Sequence, residues 1–259
     1  MVFAYYSMVE LNSYNITSKS LPSGAKIKIA QISDFHNCKL TAAVIERVKE
    51  SSPDIIVITG DLIDSRSTKI ERATELTCEL VKIAPCYYVS GNHEARINEE
   101  YLKLKEQLEN QGVTVLENQA LELEINGVKI NLIGLSDPKF ALPKGSNKAL
   151  KSEIDLRLGE LVSKDLYNVA LCHRPEAFNE YLKNGIDLVF TGHAHGGQII
   201  LPLFGGIIAP NQGLFPRYYK GLYSKESTVM AVSRGIGNNL FPFRMFNNPE
   251  VLEITVKGE

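Results

Sequence analysis

The chain of 259 residues is long enough to bury a sizeable core, as one large α/β domain or as two small ones. Its content of 44% hydrophobic and 22% charged residues is typical of a globular protein. A formal net charge of −2 provides no overall field to attract nucleic acid, so a DNA-binding or nuclease role is disfavoured.

The N-terminal stretch MVFAYYSMVE is apolar but too short to span a bilayer. We expect residues 1–25 to form a lead-in region that contains a strand. Whether an anchor precedes it in a longer form of the protein stays open. No linker composition interrupts the chain, so we expect residues 1–259 to form a single domain.

Between residues 26 and 112, short β-rich runs alternate with segments of helical period. The predicted strands are KIKIAQIS, DIIVITG and CYYVSG, and the predicted helices are TAAVIERVKE, KIERATELTCELVKI and INEEYLKLKEQLENQG. This alternation is typical of parallel strands that are joined by crossover helices.

The rest of the chain changes in character. ALELEINGVKINLIGL predicts a hairpin with Asn126 and Gly127 as its two-residue turn. A helix near 147–163 follows, and then the strand YNVALC, the helix PEAFNEYLKNG and the strand DLVFTG. After Gly197 the helical period disappears, and VMAVSRG and EVLEITVK are predicted as strands. The pattern favours two facing sheets with helices outside.

Each of the five histidines follows the C-terminal end of a predicted strand. These histidines are His36, His93, His173, His193 and His195. Ligands bind at this edge of α/β sheets because the loops converge there. A single histidine at a strand end is more often structural, but five on one edge indicate a site.

Carboxylates and one amide accompany the histidines. They are Asp34 in DFH, Asp61 and Asp64 in TGDLID, and Asn92 in GNHE. On an extended segment, the spacing of two residues in DFH and in GHAH directs both side chains to the same side. Imidazoles, carboxylates and an amide without a thiolate suit Mn, Fe, Co or Zn. Because the ligands are too many for one ion, the sequence predicts a site for two divalent metals that are bridged by Asp61.

The blocks DFH, GDLID, GNHE, CH and GHAH, in this order over residues 34–195, resemble the calcineurin-like metallophosphoesterases. The stretches GHAHGGQ and VSRGIGNN…PFRMFNNPEV are similar to the YkuE/YaeI-like branch, whose members are often exported or membrane-anchored and include lipid-directed pyrophosphohydrolases. The resemblance implies a four-layer α/β/β/α sandwich, with two mixed β-sheets flanked by helices. It also implies hydrolysis of a phosphodiester or pyrophosphate bond by a metal-bridging hydroxide.

The resemblance assigns a role to each matching position. One metal would be held by Asp34, His36, Asp61 and His195, and the other by Asp61, Asn92, His173 and His193. His93 would face the phosphate as the general acid, oriented by Asp64. The sequence departs from many protein phosphatases of the family, which carry Arg directly after the second aspartate. Ser65 stands there in this chain and Arg66 follows it, so a protein-phosphatase activity is disfavoured.

The substrate is less well defined. The apolar segment IILPLFGGIIAPNQGLFPRYYKG and the cluster LFPFRMF suit either ordinary packing or a surface for a lipid-linked substrate with peripheral membrane contact. Arg234 and Gln198 are candidate substrate contacts, and a structural salt bridge is the alternative for Arg234.

Three functions remain open at this point. The first is an envelope phosphodiesterase or pyrophosphohydrolase, at the cell membrane or outside the cytoplasm. The second is a cytoplasmic phosphomonoesterase or nucleotide phosphodiesterase of the same fold. The third is a non-catalytic binding module, which is disfavoured because no ligand position is lost. We expect a phosphoester as the substrate, no nucleic-acid partner and a monomer.

Overall fold

The structure is a computed structural model that describes residues 8–238 and 244–259. Its α-helices are Thr41–Ser51 (α1), Ile70–Leu80 (α2), Asn92–Arg96 (α3), Asn98–Asn110 (α4), Asn147–Leu161 (α5) and Phe178–Lys183 (α6). Two short 3-10 turns span Pro175–Ala177 and His195–Gly197. In the described part of the chain, no helix is both long and apolar enough to cross a bilayer.

The strands form two six-stranded sheets and two small hairpins. Sheet 1 contains Glu10–Ser18 (β1), Lys26–Ile32 (β2), Ile55–Thr59 (β3), Cys86–Val89 (β4), Thr114–Val115 (β5) and Glu250–Gly258 (β16). Sheet 2 contains Gln119–Ile125 (β6), Val128–Gly134 (β7), Tyr167–Leu171 (β8), Leu188–Thr191 (β9), Gly221–Lys225 (β14) and Thr228–Val232 (β15). The hairpins pair Ile200–Leu201 (β10) with Gly205–Gly206 (β11), and Ile208–Ala209 (β12) with Gly213–Leu214 (β13).

Sheet 1 has the strand order β1-β16-β2-β3-β4-β5, and β2, β3 and β4 are parallel. All five residues of β3 are buried, which explains its unbroken apolar run, since a central parallel strand is covered on both faces. The predicted helices that follow β2, β3 and β4 are α1, α2 and α4. The prediction of crossover helices between parallel strands is therefore confirmed for this half of the chain.

Sheet 2 has the order β14-β15-β9-β8-β7-β6 and mixes parallel with antiparallel pairs. Ile125 pairs with Val128 across the predicted hairpin, and Asn126 and Gly127 both have positive φ (53° and 76°), as a type I′ turn requires. Strands β7, β8, β9 and β15 are mutually parallel. The predicted helices near 147–163 and 175–185 are found as α5 and as a 3-10 turn followed by α6.

The two sheets pack face to face and each carries helices on its outer face. Ile29 and Val57 of sheet 1 share a buried cluster with Leu132 and Phe190 of sheet 2. A second cluster joins sheet 1 to α1, α2 and α4, and a third joins sheet 2 to α5 and α6. This is the predicted four-layer α/β/β/α arrangement.

The lead-in region contains the nine-residue strand β1, which pairs in parallel with β16. Residues 92–96, for which the sequence predicts neither a helix nor a strand, form the short helix α3. Residues 240–243 of LFPFRMF lie outside the described residues. The single-domain organisation of residues 1–259 stays a prediction.

Candidate metal centre

The loops after five strands bring the predicted polar residues together. Strands β2, β3 and β4 of sheet 1 and β8 and β9 of sheet 2 lead into these loops, so both sheets contribute from their carboxyl ends. The residues that follow them are Asp34, His36, Asp61, Asp64, Asn92, His93, His173, His193 and His195, and all nine are buried.

One group of potential metal ligands consists of Asp34, His36, Asp61 and His195, whose donor atoms all lie within 4.8 Å of one another. The Nε2 atoms of His36 and His195 are 3.3 Å apart, and His195 Nε2 lies 3.3 Å from Asp34 Oδ1. His36 Nε2 lies 3.6 Å from Asp61 Oδ2. Two imidazole nitrogens and two carboxylates that face one point form an arrangement suited to a divalent cation.

A second group, Asp61, His173 and His193, shares Asp61 with the first. Asp61 Oδ2 lies 3.2 Å from His173 Nε2. Asn92 is buried, and its side-chain oxygen has no hydrogen-bond partner among the residues that the structure describes. A buried amide oxygen without a partner is costly unless a ligand completes it. The residues present therefore fit a pair of cations with Asp61 between them.

The tautomer of His173 supports this fit. Its Nδ1 donates to the carbonyl oxygen of Thr59 at 2.7 Å, which leaves Nε2 free to coordinate. Burial lowers the pKa of His173, but the charges of Asp61 and Asp34 outweigh it and raise the pKa to about 10. Without a cation a proton balances these carboxylates, and a metal ion would take its place.

The other ligand histidines are held neutral. Burial lowers the pKa of His36 and of His195 to about 3, and it lowers that of His193 well below its usual range. A neutral imidazole is the form that binds metal. Nε2 of His193 lies 3.2 Å from Asn211 Oδ1 and 3.1 Å from Arg174 Nη1.

The backbone at the site adopts an unusual conformation. Five residues have φ between 47° and 67°, in the left-handed region: Asp34, His36, Asp61, His193 and His195. Such backbone is rare outside glycine and clusters at functional sites. The extended geometry expected for DFH and GHAH is therefore wrong, because tight left-handed turns, not strand alternation, direct these side chains. Gly60 has φ of 83°, and a Cβ there would lie 2.6 Å from the Gly91 nitrogen.

Glu94 is a site residue that the sequence analysis missed. Its buried carboxylate accepts backbone N–H bonds from Asp61 (2.9 Å), Ile63 (3.1 Å) and Gly91 (2.7 Å). It therefore ties the loop after β3 to the start of α3. The only sequence signal was its place in GNHE.

His93 contacts Ser65 more closely than Asp64. Its Nδ1 accepts the Ser65 backbone N–H at 3.0 Å, whereas Asp64 Oδ1 lies 3.5 Å away. Asp64 instead accepts hydrogen bonds from the Arg66 side chain at 3.0 and 2.5 Å. Burial opposes the ionisation of Asp64, but these bonds lower its pKa to about 2. Burial, and the charge of Arg96, lower the pKa of His93.

The two candidate substrate contacts lie in different settings. Arg234 forms ion pairs with Glu250 (2.9 Å) and Glu10 (2.6 Å). This is the structural salt bridge that was the alternative for Arg234. Gln198 is buried next to the 3-10 turn His195–Gly197, and its backbone N–H bonds to the His195 carbonyl oxygen at 3.0 Å.

The chain belongs to the calcineurin-like phosphoesterase family, whose sequence model matches residues 27–197. This membership and the ligand cluster define a metal-dependent phosphoester hydrolase.

Relatives align over nearly the whole chain. The metallophosphoesterase YkuE of Bacillus subtilis is 32% identical over 97% of this chain and 86% of its own length. The phosphodiesterase YaeI of Escherichia coli is 28% identical over 88% of this chain and 82% of its own length. The crystal structure of TT1561 of Thermus thermophilus has a TM-score of 0.55 at 15% identity, covers 82% of this chain and 91% of that one, and shows a shared fold.

Proposed function

We propose that this protein hydrolyses a phosphodiester or pyrophosphate bond with two divalent cations that are bridged by Asp61. The observation that carries the proposal is that Asp61 belongs to two of the three candidate ligand groups in the described part of the chain, whereas the third consists of His36, Asp64 and His93. The first cation would be held by Asp34, His36, Asp61 and His195, and the second by Asp61, Asn92, His173 and His193. Mn, Zn, Fe and Co all suit such donors.

The bound cations would supply chemistry that the side chains lack, since two divalent ions activate water at neutral pH and neutralise phosphoryl charge. The protein would hold the metal ligands in position. Thr59 fixes His173 through its Nδ1, and Glu94 fixes the backbone of Asp61. A pre-organised site needs no rearrangement during the reaction.

His93 would donate a proton to the leaving group. Because its Nδ1 accepts the Ser65 N–H, the neutral ring carries its proton on Nε2, which can hydrogen bond to a phosphoryl or leaving oxygen. Transfer of a proton as a general acid requires the doubly protonated ring. Asp64 Oδ1, 3.5 Å from Nδ1, would stabilise that form.

A substrate panel with metal analysis tests this proposal. We expect two divalent ions per chain and faster turnover of bis-p-nitrophenyl phosphate than of p-nitrophenyl phosphate. A strong preference for the monoester would favour the cytoplasmic phosphomonoesterase alternative. Absence of turnover on every phosphoester by the metal-loaded protein would overturn the proposal.

We further propose that the substrate is lipid-linked and that the protein acts at the cell membrane or outside the cytoplasm, through peripheral contact. The support is an apolar surface, here called the hairpin surface, which consists of exposed side chains on the two small hairpins and beside them: Leu203, Phe204, Leu214, Phe215, Met245 and Phe246. The Leu203 side chain is fully exposed. Exposed apolar side chains in such numbers typically mark an interaction site.

The hairpin surface is connected to the site. Hydrogen bonds join Ile207 to Ile199 and Phe215 to Ile207, so the two hairpins form one unit. Asn211, at the turn of the second hairpin, lies 3.2 Å from His193. A lipid held on this surface would thus place its phosphate close to the proposed metals.

Vesicle sedimentation and kinetics test the lipid proposal. We expect Leu203→Ser combined with Phe204→Ser to reduce both vesicle binding and turnover of an acylated phosphodiester, with turnover of bis-p-nitrophenyl phosphate retained. Leu156→Ser, on the exposed face of α5, is the matched control. Equal rates of the wild-type protein on acylated and water-soluble phosphodiesters would contradict the proposal.

A further inference from the structure

A cavity of about 180 Å³ opens beside the proposed metal centre. Its lining includes Asn92, His93 and His193 from the site, and the cationic side chains of Arg66, Arg96 and Lys139. Arg96 is exposed at the end of α3, and Lys139 is half-buried in the loop after β7. Three cations therefore face one small space next to the proposed reaction centre.

The three cations differ in their ion pairs. Arg66 is paired with Asp64, whereas Arg96 and Lys139 form no ion pair with any residue that the structure describes. The nearby Asp137 carboxylate is occupied by the Arg174 side chain, at 2.6 and 2.9 Å. Burial, and then the charges of Arg174 and Arg96, lower the pKa of Lys139. An excess of positive charge at a cavity attracts anions.

The hydrogen bonds of His93 point to the same conclusion. Because Nδ1 accepts the Ser65 N–H, Nε2 of the neutral ring carries a proton. Arg96 Nη1, which is also a donor, lies 3.3 Å from that Nε2. Two donors that face each other are unfavourable, and an anionic oxygen that lies within hydrogen-bond distance of both nitrogens would accept from each.

We propose that Arg96 and Lys139 bind a second phosphoryl group of the substrate, so that the preferred substrate is a pyrophosphate diester. This inference rests on the proposed function and narrows its substrate class. Hydrolysis would form one P–O bond from water and break the bridging P–O bond, whose electron pair leaves with the second phosphate. At pH 8 both product phosphates are dianions and two protons pass to solvent. Arg96 and Lys139 would stabilise the leaving phosphate.

Binding measurements test the second phosphoryl site independently of turnover. The probes are methylenediphosphonate, which has two phosphoryl groups, and methylphosphonate, which has one, titrated into the metal-loaded protein by calorimetry. For Lys139→Gln and for Arg96→Gln we expect the Kd for the diphosphonate, relative to that for methylphosphonate, to rise roughly 10–100-fold, since each variant loses a charge-assisted bond. Lys139→Arg should keep most of the preference.

A kinetic experiment complements the titration. The ratio of kcat/KM for diadenosine pyrophosphate to that for bis-p-nitrophenyl phosphate should fall by a similar factor in both variants. Lys144→Gln, an exposed lysine of the same loop, serves as the control and should match the wild-type protein.

The outcomes separate this inference from the proposed function. The inference is overturned if, in both variants, the Kd for the diphosphonate relative to that for methylphosphonate stays within threefold of the wild-type ratio. It is also overturned if the variants bind both phosphonates more weakly by the same factor. If the metal-loaded protein hydrolyses no phosphoester, the proposed function fails, whereas the phosphonate titrations still decide whether the second phosphoryl site exists.

Discussion

Glu94 offers a direct test of how the site is held together. Its Oε2 accepts the N–H groups of Asp61 and Gly91, and its Oε1 accepts that of Ile63. Burial and the charge of Asp61 raise the pKa of Glu94 to about 7, so at pH 8 the carboxylate is mainly ionised. Glu94→Gln keeps the shape and removes the charge.

The cost of this substitution follows from the hydrogen bonds. The new amide oxygen can retain the bonds from Asp61 and Gly91, and the amide NH₂ must then face the Ile63 N–H. One buried donor without an acceptor costs about 1–3 kcal/mol, and the two retained bonds lose their charge assistance. Removal of the charge also relieves the burial penalty and the repulsion from Asp61 that raise the pKa of Glu94, which offsets the lost charge assistance. We expect the free energy of unfolding to fall by about 1–3 kcal/mol, the cost of the donor that is left without an acceptor. Because the backbone of Asp61 should shift when Glu94 is replaced, kcat should fall about 10-fold or more.

The assay combines denaturant unfolding at pH 8 with metal analysis and turnover of bis-p-nitrophenyl phosphate. Glu106→Gln, at an exposed position of α4, is the control and should change stability by less than about 0.5 kcal/mol. A Glu94→Gln protein with wild-type stability and turnover would refute the reasoning that this carboxylate holds the two loops.

Three further predictions concern the centre itself. His93→Asn should lower kcat roughly 10²–10⁴-fold with metal content retained, and full activity would remove its assigned role. Asp61→Asn should lose metal and nearly all activity, and two bound metals with normal turnover would disprove bridging. In metal-free protein, the pKa of His173 raised from 6.5 to about 10 stabilises the fold fully below pH 6.5, and this contribution is lost as the pH rises through 10. The melting temperature should therefore fall from pH 7 to 9 after chelation but change little with metals bound. An equal change of melting temperature with pH in the metal-free and metal-bound forms would contradict this.

Much of the fold could be predicted because its signals are local. The unbroken apolar run of β3 and the Asn126-Gly127 turn each specify their element from neighbouring residues. The sequence indicates short strands and Gly/Pro loops after Gly197, but the bounds of the small hairpins β10–β11 and β12–β13 could not be predicted, since strands of two residues carry no period. Helix α3 was missed because its five residues are too few to show helical spacing.

In the candidate site, too, some features follow from local sequence and others depend on the tertiary structure. The strand-end positions of the histidines could be found from the sequence, because each follows an apolar run. The way these side chains converge depends on positive φ at Asp34, His36 and Asp61, which the tertiary structure imposes. The Ser65 contact to His93 and the cavity cations Arg96 and Lys139 depend on distances between loops, which no local pattern encodes.

Anomalous X-ray diffraction from crystals of the metal-loaded protein, measured at the absorption edge of the bound metal, tests the central idea most directly. Two peaks about 3.5–4 Å apart, one on either side of the Asp61 carboxylate, are the predicted result. A single peak, or peaks coordinated by other residues, would contradict a two-metal centre at the meeting point of the two sheets.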